Sequence, residues 1–250
     1  MSNQQLIEIF HLIFLRHLGG KIQKEHYALK RGCNLRFYFK SIRYSEDMDF
    51  DIKTVARNTL QSNIRKILKS PSLTKTLSAK GLEIIDSSEP KQTDTTQRWK
   101  ISLRTKENRL PIPTKLEFSR RKMTSNVLFE AVDPELVQDY GLYPIYSNHY
   151  GIQDALDQKI SALIHRTEIQ ARDVFDIDLI HLSQRKLKTK SNLTKEDLTR
   201  GQENALTLRF HDFKGQVVAY LLPEFQIHYD QRRWNTILEN VVDLLESMKS

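Results

Sequence analysis

Three acidic side chains have the spacing of a metal-binding site on a β-sheet. Asp47 and Asp49 lie two residues apart within Ile42–Ile52, where apolar and acidic residues alternate. Alternate residues of a strand face the same side of a sheet, so both carboxylates are expected on one face. Lys115–Ser119 has the same period and carries Glu117 on its polar face. A second strand beside the first would bring Glu117 next to the two aspartates.

Such a carboxylate cluster is suited to binding magnesium and a nucleotide. Like charges at close range repel each other strongly unless a cation neutralises them. Magnesium prefers oxygen ligands and accepts part of its shell from substrate phosphates. Two magnesium ions about 4 Å apart promote in-line attack on a phosphoryl group. Gly32 lies in a predicted turn before a short helix, where backbone N–H groups can hold a triphosphate. A single Asp-x-Asp pair is more often a solvated strand edge, and Glu117 shifts the interpretation towards a metal–nucleotide site.

A second group of charged residues, in the back half, allows two interpretations. Lys159, Arg166 and Asp173 are seven residues apart, which places them on nearly the same face of an unbroken α-helix. The spacing alone favours an exposed face with ion pairs, such as Arg172 with Asp176. In the alternative, Lys159 and Arg166 contact nucleotide phosphates, and Asp173 orients one of them or takes a proton.

The elements that position these side chains follow from the hydrophobic pattern. The front half is predicted to form one sheet with helices beside it, and the back half, from about Gly151, is predicted to be helical. The predicted fold is therefore α+β, with a core over residues 1–148 and a helical C-terminal domain over 149–250. The predicted strands are Tyr27–Leu29, Ile42–Ile52, Leu82–Ile85, Trp99–Leu103 and Lys115–Phe118, with a polar loop over Asp86–Gln97. The predicted helices are Leu6–Leu18, Leu35–Phe39, Val55–Leu68, 152–166, 168–183, one begun by Thr194 and Trp234–Met248, with a basic connector at Arg185–Lys190.

Composition and charge narrow the class of protein. The 250 residues are 39% hydrophobic and 28% charged, which is typical of a globular protein with a buried core. Residues 1–125 carry 25 Lys and Arg against 12 Asp and Glu, whereas the remaining residues carry 14 against 19. The basic front half indicates an anionic partner, with nucleic acid or nucleotide ahead of membrane, although a solvated basic surface explains the charge equally well.

The sequence also predicts the cellular location of the protein. Its single cysteine, Cys33, permits neither an internal disulfide nor a Cys-based zinc cluster. The apolar stretch Leu6–Leu15 is interrupted by Glu8 and His11, is too short to span a bilayer, and lacks the basic leader of a signal peptide. We expect a cytoplasmic protein without a membrane partner.

Together these segments resemble the AbiEii-type nucleotidyltransferase toxins, which belong to the DNA polymerase β-like nucleotidyltransferase superfamily. Lys30–Arg36 with Arg43-x-Ser45-x-Asp47-x-Asp49 is similar to the family's first motif. Lys115-x-Glu117 is similar to the middle motif, and Lys159–Asp176, read as Lys-x6-Arg-x5-Arg-Asp-x2-Asp, to the helical motif. The resemblance runs from about Ala28 to Leu179.

The resemblance implies a minimal nucleotidyltransferase core, followed by a helical domain, and a role for each motif. In this family the turn residues contact the triphosphate through the backbone, and the third carboxylate helps to activate the acceptor hydroxyl. The nucleotide-binding residues implied are Gly32, Cys33, Arg43, Ser45, Lys159 and Arg166. The catalytic residues implied are Asp47, Asp49, Glu117 and Asp173, of which the first three also bind magnesium.

The chain departs from the family's usual sequence at the predicted turn around Gly32. The family usually has Gly-Gly-Thr or Gly-Gly-Ser where this chain has Arg31-Gly32-Cys33. An arginine does not easily adopt a glycine-only backbone conformation, although its charge is suited to a phosphate. A thiol is also a poorer hydrogen-bond donor than the hydroxyl of threonine.

The activity implied is transfer of a nucleoside monophosphate from an NTP to the 3′ end of tRNA, with two magnesium ions as cofactors. The protein would be the toxin of a type IV toxin–antitoxin pair, with a cognate antitoxin encoded nearby that acts by direct binding or by another route. Two alternatives remain at this point. One keeps the same site with a protein or a small molecule as acceptor, and the other is a catalytically inactive RNA-binding module.

Overall fold

The computed structural model describes residues 1–106, 110–120, 123, 126–184 and 193–249. The chain divides into two compact units. The first unit contains Met1–Lys40 and Tyr44–Tyr150, and the second contains Ser41–Arg43 and Gly151–Ser250. The predicted basic connector at Arg185–Lys190 lies outside the described residues.

The first unit is built on a seven-stranded mixed sheet with strand order β3-β4-β5-β2-β1-β7-β6. The central strand β2 is parallel to β5 and antiparallel to β1. Its strands are β1 (Tyr27–Lys30), β2 (Asp47–Ile52), β3 (Leu82–Gln92), β4 (Thr96–Thr105), β5 (Ile112–Ser119), β6 (Val127–Ala131) and β7 (Tyr146–Tyr150). With the helices described next, this sheet confirms the predicted α+β class.

In the described residues of the first unit, five α-helices accompany the sheet, and the longest begins at a capping box. The side chain of Ser2 accepts a hydrogen bond from the Gln5 backbone, and the Gln5 side chain accepts one from the backbone N–H of Ser2, so two N–H groups at the helix start are satisfied. None of the described helices is both long and apolar enough to cross a bilayer. The helices are α1 (Asn3–Gly19), α2 (Arg31–Tyr38), α3 (Arg57–Leu68), α4 (Pro71–Ala79) and α5 (Pro134–Asp139).

The apolar face of the two central strands fixes their register. Phe50 of β2 is directly opposite Phe118 of β5, and the two rings stack with centroids 4.7 Å apart. Trp99 of β4 packs edge-on against Phe118 at 5.7 Å. All three side chains are fully buried. Because the side-chain period of a strand is two, this packing fixes which residues of β2 and β5 face the other side of the sheet.

The second unit consists of helices over its described part. Its core includes Trp234, whose ring stacks on Phe213 with centroids 4.6 Å apart, and both side chains are fully buried. The helix predicted to begin at Thr194 is confirmed, and the Thr194 side chain forms a capping box with Asp197. The helices are α6 (Ile152–His165), α7 (Ala171–Ser183), α8 (Lys195–Thr207), α9 (Phe210–Gln216), α10 (Pro223–Gln226) and α11 (Gln231–Ser247).

The predicted polar loop over Asp86–Gln97 is wrong. β3 continues to Gln92 and β4 already begins at Thr96, which leaves a short turn between them. The far half of β3 lies at the edge of the sheet, and most of its side chains are exposed. An exposed strand held by backbone hydrogen bonds needs no alternation of apolar residues, so the sequence pattern that identifies a strand is absent there.

We expect Phe118→Ala to destabilise the protein by about 3–5 kcal/mol, because a fully buried ring that packs on two others is removed. Urea unfolding followed by circular dichroism measures the loss. Phe129→Ala is the control, since this ring is half exposed, and its effect should stay below about 1 kcal/mol. Equal losses in the two variants would contradict the role given to the Phe118 contacts.

Candidate active site

Four charged residues form a row across the polar face of the sheet. The register places Lys30 of β1 opposite Asp49 of β2, Asp49 opposite Glu117 of β5, and Glu117 opposite Arg98 of β4. Two acids thus stand side by side at the centre with a base on each outer side. Like charges directly opposite each other destabilise a sheet, so this arrangement needs a specific source of stabilisation.

Basic side chains supply that stabilisation. Arg98 donates two hydrogen bonds to Glu117 Oε2, from Nε at 2.8 Å and from Nη2 at 2.6 Å. Arg31 Nη1 lies 2.8 Å from Asp49 Oδ1 and 4.0 Å from Glu117 Oε1. Arg31 is therefore the cation that approaches both central carboxylates.

Asp47 shares this face of the sheet and has its own partner. The register sets it opposite Lys115, whose Nζ lies 2.6 Å from Asp47 Oδ2. The structure therefore brings Asp49 and Glu117 together directly and places Asp47 next to them along the strand. Lys30 turns to Asp51, the next residue on the same face, and Tyr150 donates to the other oxygen of Asp51 at 2.8 Å.

The central acids differ in their proton affinity. Burial raises the pKa of Asp49, and the neighbouring Glu117 raises it further, while the charge of Arg31 works in the opposite direction. Burial also acts to raise the pKa of Glu117, but the hydrogen bonds and charge of Arg98 outweigh it, so this pKa lies below its usual value. The negative charge of Asp49 is thus incompletely compensated, whereas that of Glu117 is well compensated.

The donor set fits a hard divalent cation. Asp49 and Glu117 present carboxylate oxygens, the ligand type that magnesium prefers. A positively charged group, the guanidinium of Arg31, already lies close to both, which shows that this position favours a cation. In the described part of the chain, no three His, Cys, Asp or Glu side chains are grouped closely enough to hold a metal ion by themselves. Asp49 and Glu117 are the residues that would hold one here, with Asp47 next along the strand.

The turn between β1 and α2 differs from the predicted glycine turn. The residue with a left-handed backbone is Arg31, at φ 60°, and not Gly32, which lies in the first turn of α2. The expectation that an arginine would avoid such a conformation is wrong for this turn. The hydrogen bond from Arg31 to Asp49 accompanies this unusual backbone and offers a physical reason for it.

Cys33 and Ser45 hold the start of β2. The Cys33 thiol is fully buried, 3.3 Å from the backbone oxygen of Asp47, and its burial raises its pKa well above the usual value. Ser45 Oγ donates to the same oxygen at 2.8 Å. These two side chains therefore fix the strand that carries the aspartates, and the Cys33 thiol is engaged inside the protein.

The predicted helical cluster is buried in the second unit. Lys159 Nζ lies 2.9 Å from Asp173 Oδ1 and 2.5 Å from Asp176 Oδ2. Arg166 Nη1 lies 3.1 Å from Asp173 Oδ2, and Arg43 Nη2 lies 3.1 Å from Asp176 Oδ2. Both aspartates are fully buried. Burial acts to raise the pKa of Asp176, but the charges of Arg43 and Lys159 and the hydrogen bonds from them outweigh it, and the pKa is lowered.

One prediction about this cluster is wrong. The break between two helices is confirmed, since α6 ends at His165 and α7 begins at Ala171, so the alignment expected for an unbroken helix does not apply. The prediction of an exposed, ion-paired face is wrong, because Asp176 is buried against Lys159 and Arg43, while the suggested partner Arg172 is exposed. The two helices, joined by a bend, bring Lys159, Arg166 and Asp173 together.

Sequence reasoning did not identify Arg98 as part of the site. The strand over Trp99–Leu103 was predicted, and Trp99 faces the core. Period two then places the preceding residue, Arg98, on the opposite, polar face. Extending the predicted strand by one residue would place Arg98 on the polar face.

Comparisons with known proteins agree on the family and the fold. A sequence profile of the family described as "Nucleotidyl transferase AbiEii toxin, Type IV TA system" matches residues 13–247. Among curated protein sequences, none matches this chain. The solved structure of JHP933 from Helicobacter pylori is similar with a TM-score of 0.65 at 20% identity, over 100% of this chain and 94% of that one.

Two further structures share the fold. A nucleotidyltransferase structure from H. pylori, described as putative, has a TM-score of 0.64 at 19% identity over 100% of both chains. MenT4, a nucleotidyltransferase toxin from Mycobacterium tuberculosis H37Rv, has a TM-score of 0.58 at 16% identity, over 99% of this chain and 94% of that one.

We expect Asp49→Asn to raise the melting temperature of the metal-free protein by a few degrees, since it removes an incompletely compensated buried charge. A raised pKa in the folded state means that ionisation of Asp49 costs stability as pH rises above about 4. The gain from the amide should therefore grow with pH and then level off. Thermal unfolding in EDTA at several pH values measures it, and a gain that falls as pH rises would contradict the argument.

We expect Lys159→Met to destabilise the protein by about 3 kcal/mol, because it leaves two fully buried aspartates without their shared cation. Denaturant unfolding measures the loss. Lys214→Met is the matched control at an exposed position of the same unit, where a change within about 0.5 kcal/mol is expected.

Proposed function

Since the chain belongs to the AbiEii family of nucleotidyl transferase toxins of type IV toxin–antitoxin systems, we propose that it transfers a nucleoside monophosphate from an NTP to the 3′ end of tRNA. The observation that supports this proposal best is the opposed pair Asp49 and Glu117, with Asp47 on the same face of the sheet. Family membership implies an NTP substrate and an antitoxin partner. We propose that the antitoxin is encoded nearby and that the toxin acts in the cytoplasm.

In the proposed reaction the acceptor hydroxyl oxygen attacks the α-phosphorus of the NTP. The bond from the α-phosphorus to the bridging oxygen breaks, pyrophosphate leaves, and the hydroxyl proton is released. A bound divalent cation, proposed to be magnesium, would neutralise the triphosphate and the charge that develops on the leaving group. The protein contributes positioning and charge compensation, which dominate phosphoryl transfer.

Asp49 and Glu117 differ in how the protein compensates their negative charges. Of the two central acids, Asp49 is the one whose charge the protein compensates less, so it gains more from a bound cation. Arg98 holds Oε2 of Glu117 with two hydrogen bonds, which leaves Oε1 on the side of Arg31 and Asp49. The lowered pKa of Glu117 suits a ligand better than a general base, because a base works best with a pKa near the working pH.

Lys159 and Arg166 are proposed to bind phosphate groups of the nucleotide. Arg166 keeps 28% of its side chain exposed, so a phosphate can reach it, while Lys159 is held between the two buried aspartates. Asp173 contacts both basic groups and is proposed to orient them. The backbone of Gly32 and Cys33 at the start of α2 is proposed to contact the triphosphate.

The basic first half of the sequence supports RNA as the acceptor class. It carries 25 Lys and Arg against 12 Asp and Glu over residues 1–125. An excess of positive charge attracts a polyanion and makes its binding salt-dependent. The same charge would serve an inactive RNA-binding module, so the test must separate binding from transfer.

We expect the wild-type protein to label tRNA from an α-labelled NTP in the presence of magnesium. Asp49→Ala should lower the rate about a hundredfold or more, because charge compensation at the reacting phosphate is lost. Asp94→Ala is the matched control, since this aspartate is 91% exposed at the edge turn of the sheet, and it should keep wild-type activity. Periodate oxidation of the tRNA destroys its 3′ hydroxyl groups and should abolish labelling.

Each alternative has its own outcome in the same assay. Labelling of periodate-oxidised tRNA contradicts the 3′ end as acceptor, and label on protein, seen as an added nucleotide mass, contradicts RNA as acceptor. Salt-dependent RNA binding that is equal in wild type and Asp49→Ala, with no release of pyrophosphate, indicates the inactive binding module.

A further inference from the structure

Arg31 has a backbone conformation that side-chain-bearing residues rarely adopt. Its φ is 60°, and among the described residues only Lys40 and Thr54 are other non-glycine residues with a positive φ. The left-handed region costs an L-residue free energy unless neighbouring contacts hold it there. Arg31 is the first residue of α2, directly after β1. Its backbone conformation therefore sets the direction in which the side chain leaves the backbone.

The side chain of Arg31 reaches over the centre of the charged row. Its Nη1 is 2.8 Å from Asp49 Oδ1 and 4.0 Å from Glu117 Oε1. About a third of the side chain, 36%, is exposed, so it can leave this position without unfolding a packed core. Asp49, in contrast, has only 9% of its side chain exposed.

The other basic groups on this face are held by different oxygens. Lys30 binds Asp51, Lys115 binds Asp47, and Arg98 binds Oε2 of Glu117. Arg31 is thus the basic group in direct contact with Asp49, and it also approaches the second oxygen of Glu117. This is the space between the two carboxylates that a small cation would need.

We propose that Arg31 is an internal counter-ion of the Asp49–Glu117 pair, and that a divalent cation must displace its guanidinium to bind. The inference rests on the proposed function, because it takes these carboxylates as the metal ligands. The displaced guanidinium then becomes available to the negative triphosphate of the incoming nucleotide. Metal binding and nucleotide binding are coupled as a result. The metal alone binds weakly, and the nucleotide increases the affinity for the metal because its phosphates bind the guanidinium of Arg31.

Calorimetric titration with Mn²⁺ in the absence of nucleotide tests the competition. We expect Arg31→Gln to bind Mn²⁺ about tenfold more tightly than wild type, since a positive charge beside the ligands is removed. Arg31→Lys keeps both the charge and the strained backbone position, and it should stay close to wild type. Arg104→Gln is the matched control: it removes another Arg–Glu pair, to Glu83 at 2.6 Å, on the same sheet.

The thermal stability of the metal-free protein gives a readout that does not depend on activity. Arg31→Gln should melt at a lower temperature than wild type in EDTA, because Asp49 and Glu117 then face each other without their shared cation. Added Mg²⁺ should restore more of the melting temperature in Arg31→Gln than in wild type. A salt bridge with a purely structural role would give the loss without the restoration.

A non-hydrolysable NTP analogue tests the coupling. It should tighten Mn²⁺ binding in wild type by a larger factor than in Arg31→Gln, where no guanidinium has to be displaced. Equal factors in the two proteins, or an Mn²⁺ affinity of Arg31→Gln within about twofold of wild type, would overturn the inference.

The outcomes also separate this inference from the proposed function. If wild type transfers nucleotide and Asp49→Ala does not, while Arg31→Gln binds Mn²⁺ like wild type, only the role of Arg31 fails. If none of the proteins binds Mn²⁺, with or without the nucleotide analogue, and no transfer occurs, both fail.

Discussion

The repulsion between Asp49 and Glu117, side by side on parallel strands, is the constraint on which the rest of the site depends. Two adjacent carboxylates on a largely buried face are unstable without positive charge nearby. The protein provides it along the sheet from β4 and β1, and from above through the turn at Arg31. Compensation is complete enough for Glu117 to have a lowered pKa, and incomplete for Asp49, whose pKa is raised. This residual charge is the physical basis for proposing a cation at this position.

The opposite face of the sheet holds the two acids in this unfavourable arrangement. Phe50 and Phe118 are also opposite each other, one residue further along the same strands, and their rings stack in the core. Sliding one strand by one residue would separate the acids but would also turn the rings towards the polar face. Burial of an aromatic side chain contributes on the order of 2 kcal/mol or more, so the core can fix a register that electrostatics alone would oppose. The apolar packing on one face of the sheet thus stabilises the close approach of the two acids on the other face.

The sequence predicts those parts of this arrangement that depend on alternation. Asp47 and Asp49 alternate with Met48 and Phe50, and Glu117 alternates with Leu116 and Phe118, so both polar faces followed directly from period two. The outer half of β3 and the strand β7 lack such alternation, because one is exposed and the other carries buried Ser147, Asn148 and His149. The break between α6 and α7 follows from the two separate helical patterns, whereas the left-handed backbone of Arg31 has no local pattern. The side chain of Arg31 is held by a residue 18 positions further along the chain, Asp49, which no local pattern reveals.

The two buried charged clusters have opposite balances of positive and negative charge. This difference indicates whether each is better suited to an anion or to a cation. The cluster of the second unit sets Arg43, Lys159 and Arg166 against two aspartates, so cations are in excess, and the pKa of Asp176 is lowered. A group with surplus positive charge and one partly exposed arginine attracts an anion such as a phosphate. The row in the first unit has acids at its centre and an aspartate with a raised pKa, which attracts a cation. The proposed reaction uses a divalent cation and an anionic triphosphate, and the family profile spans the segments that carry both clusters.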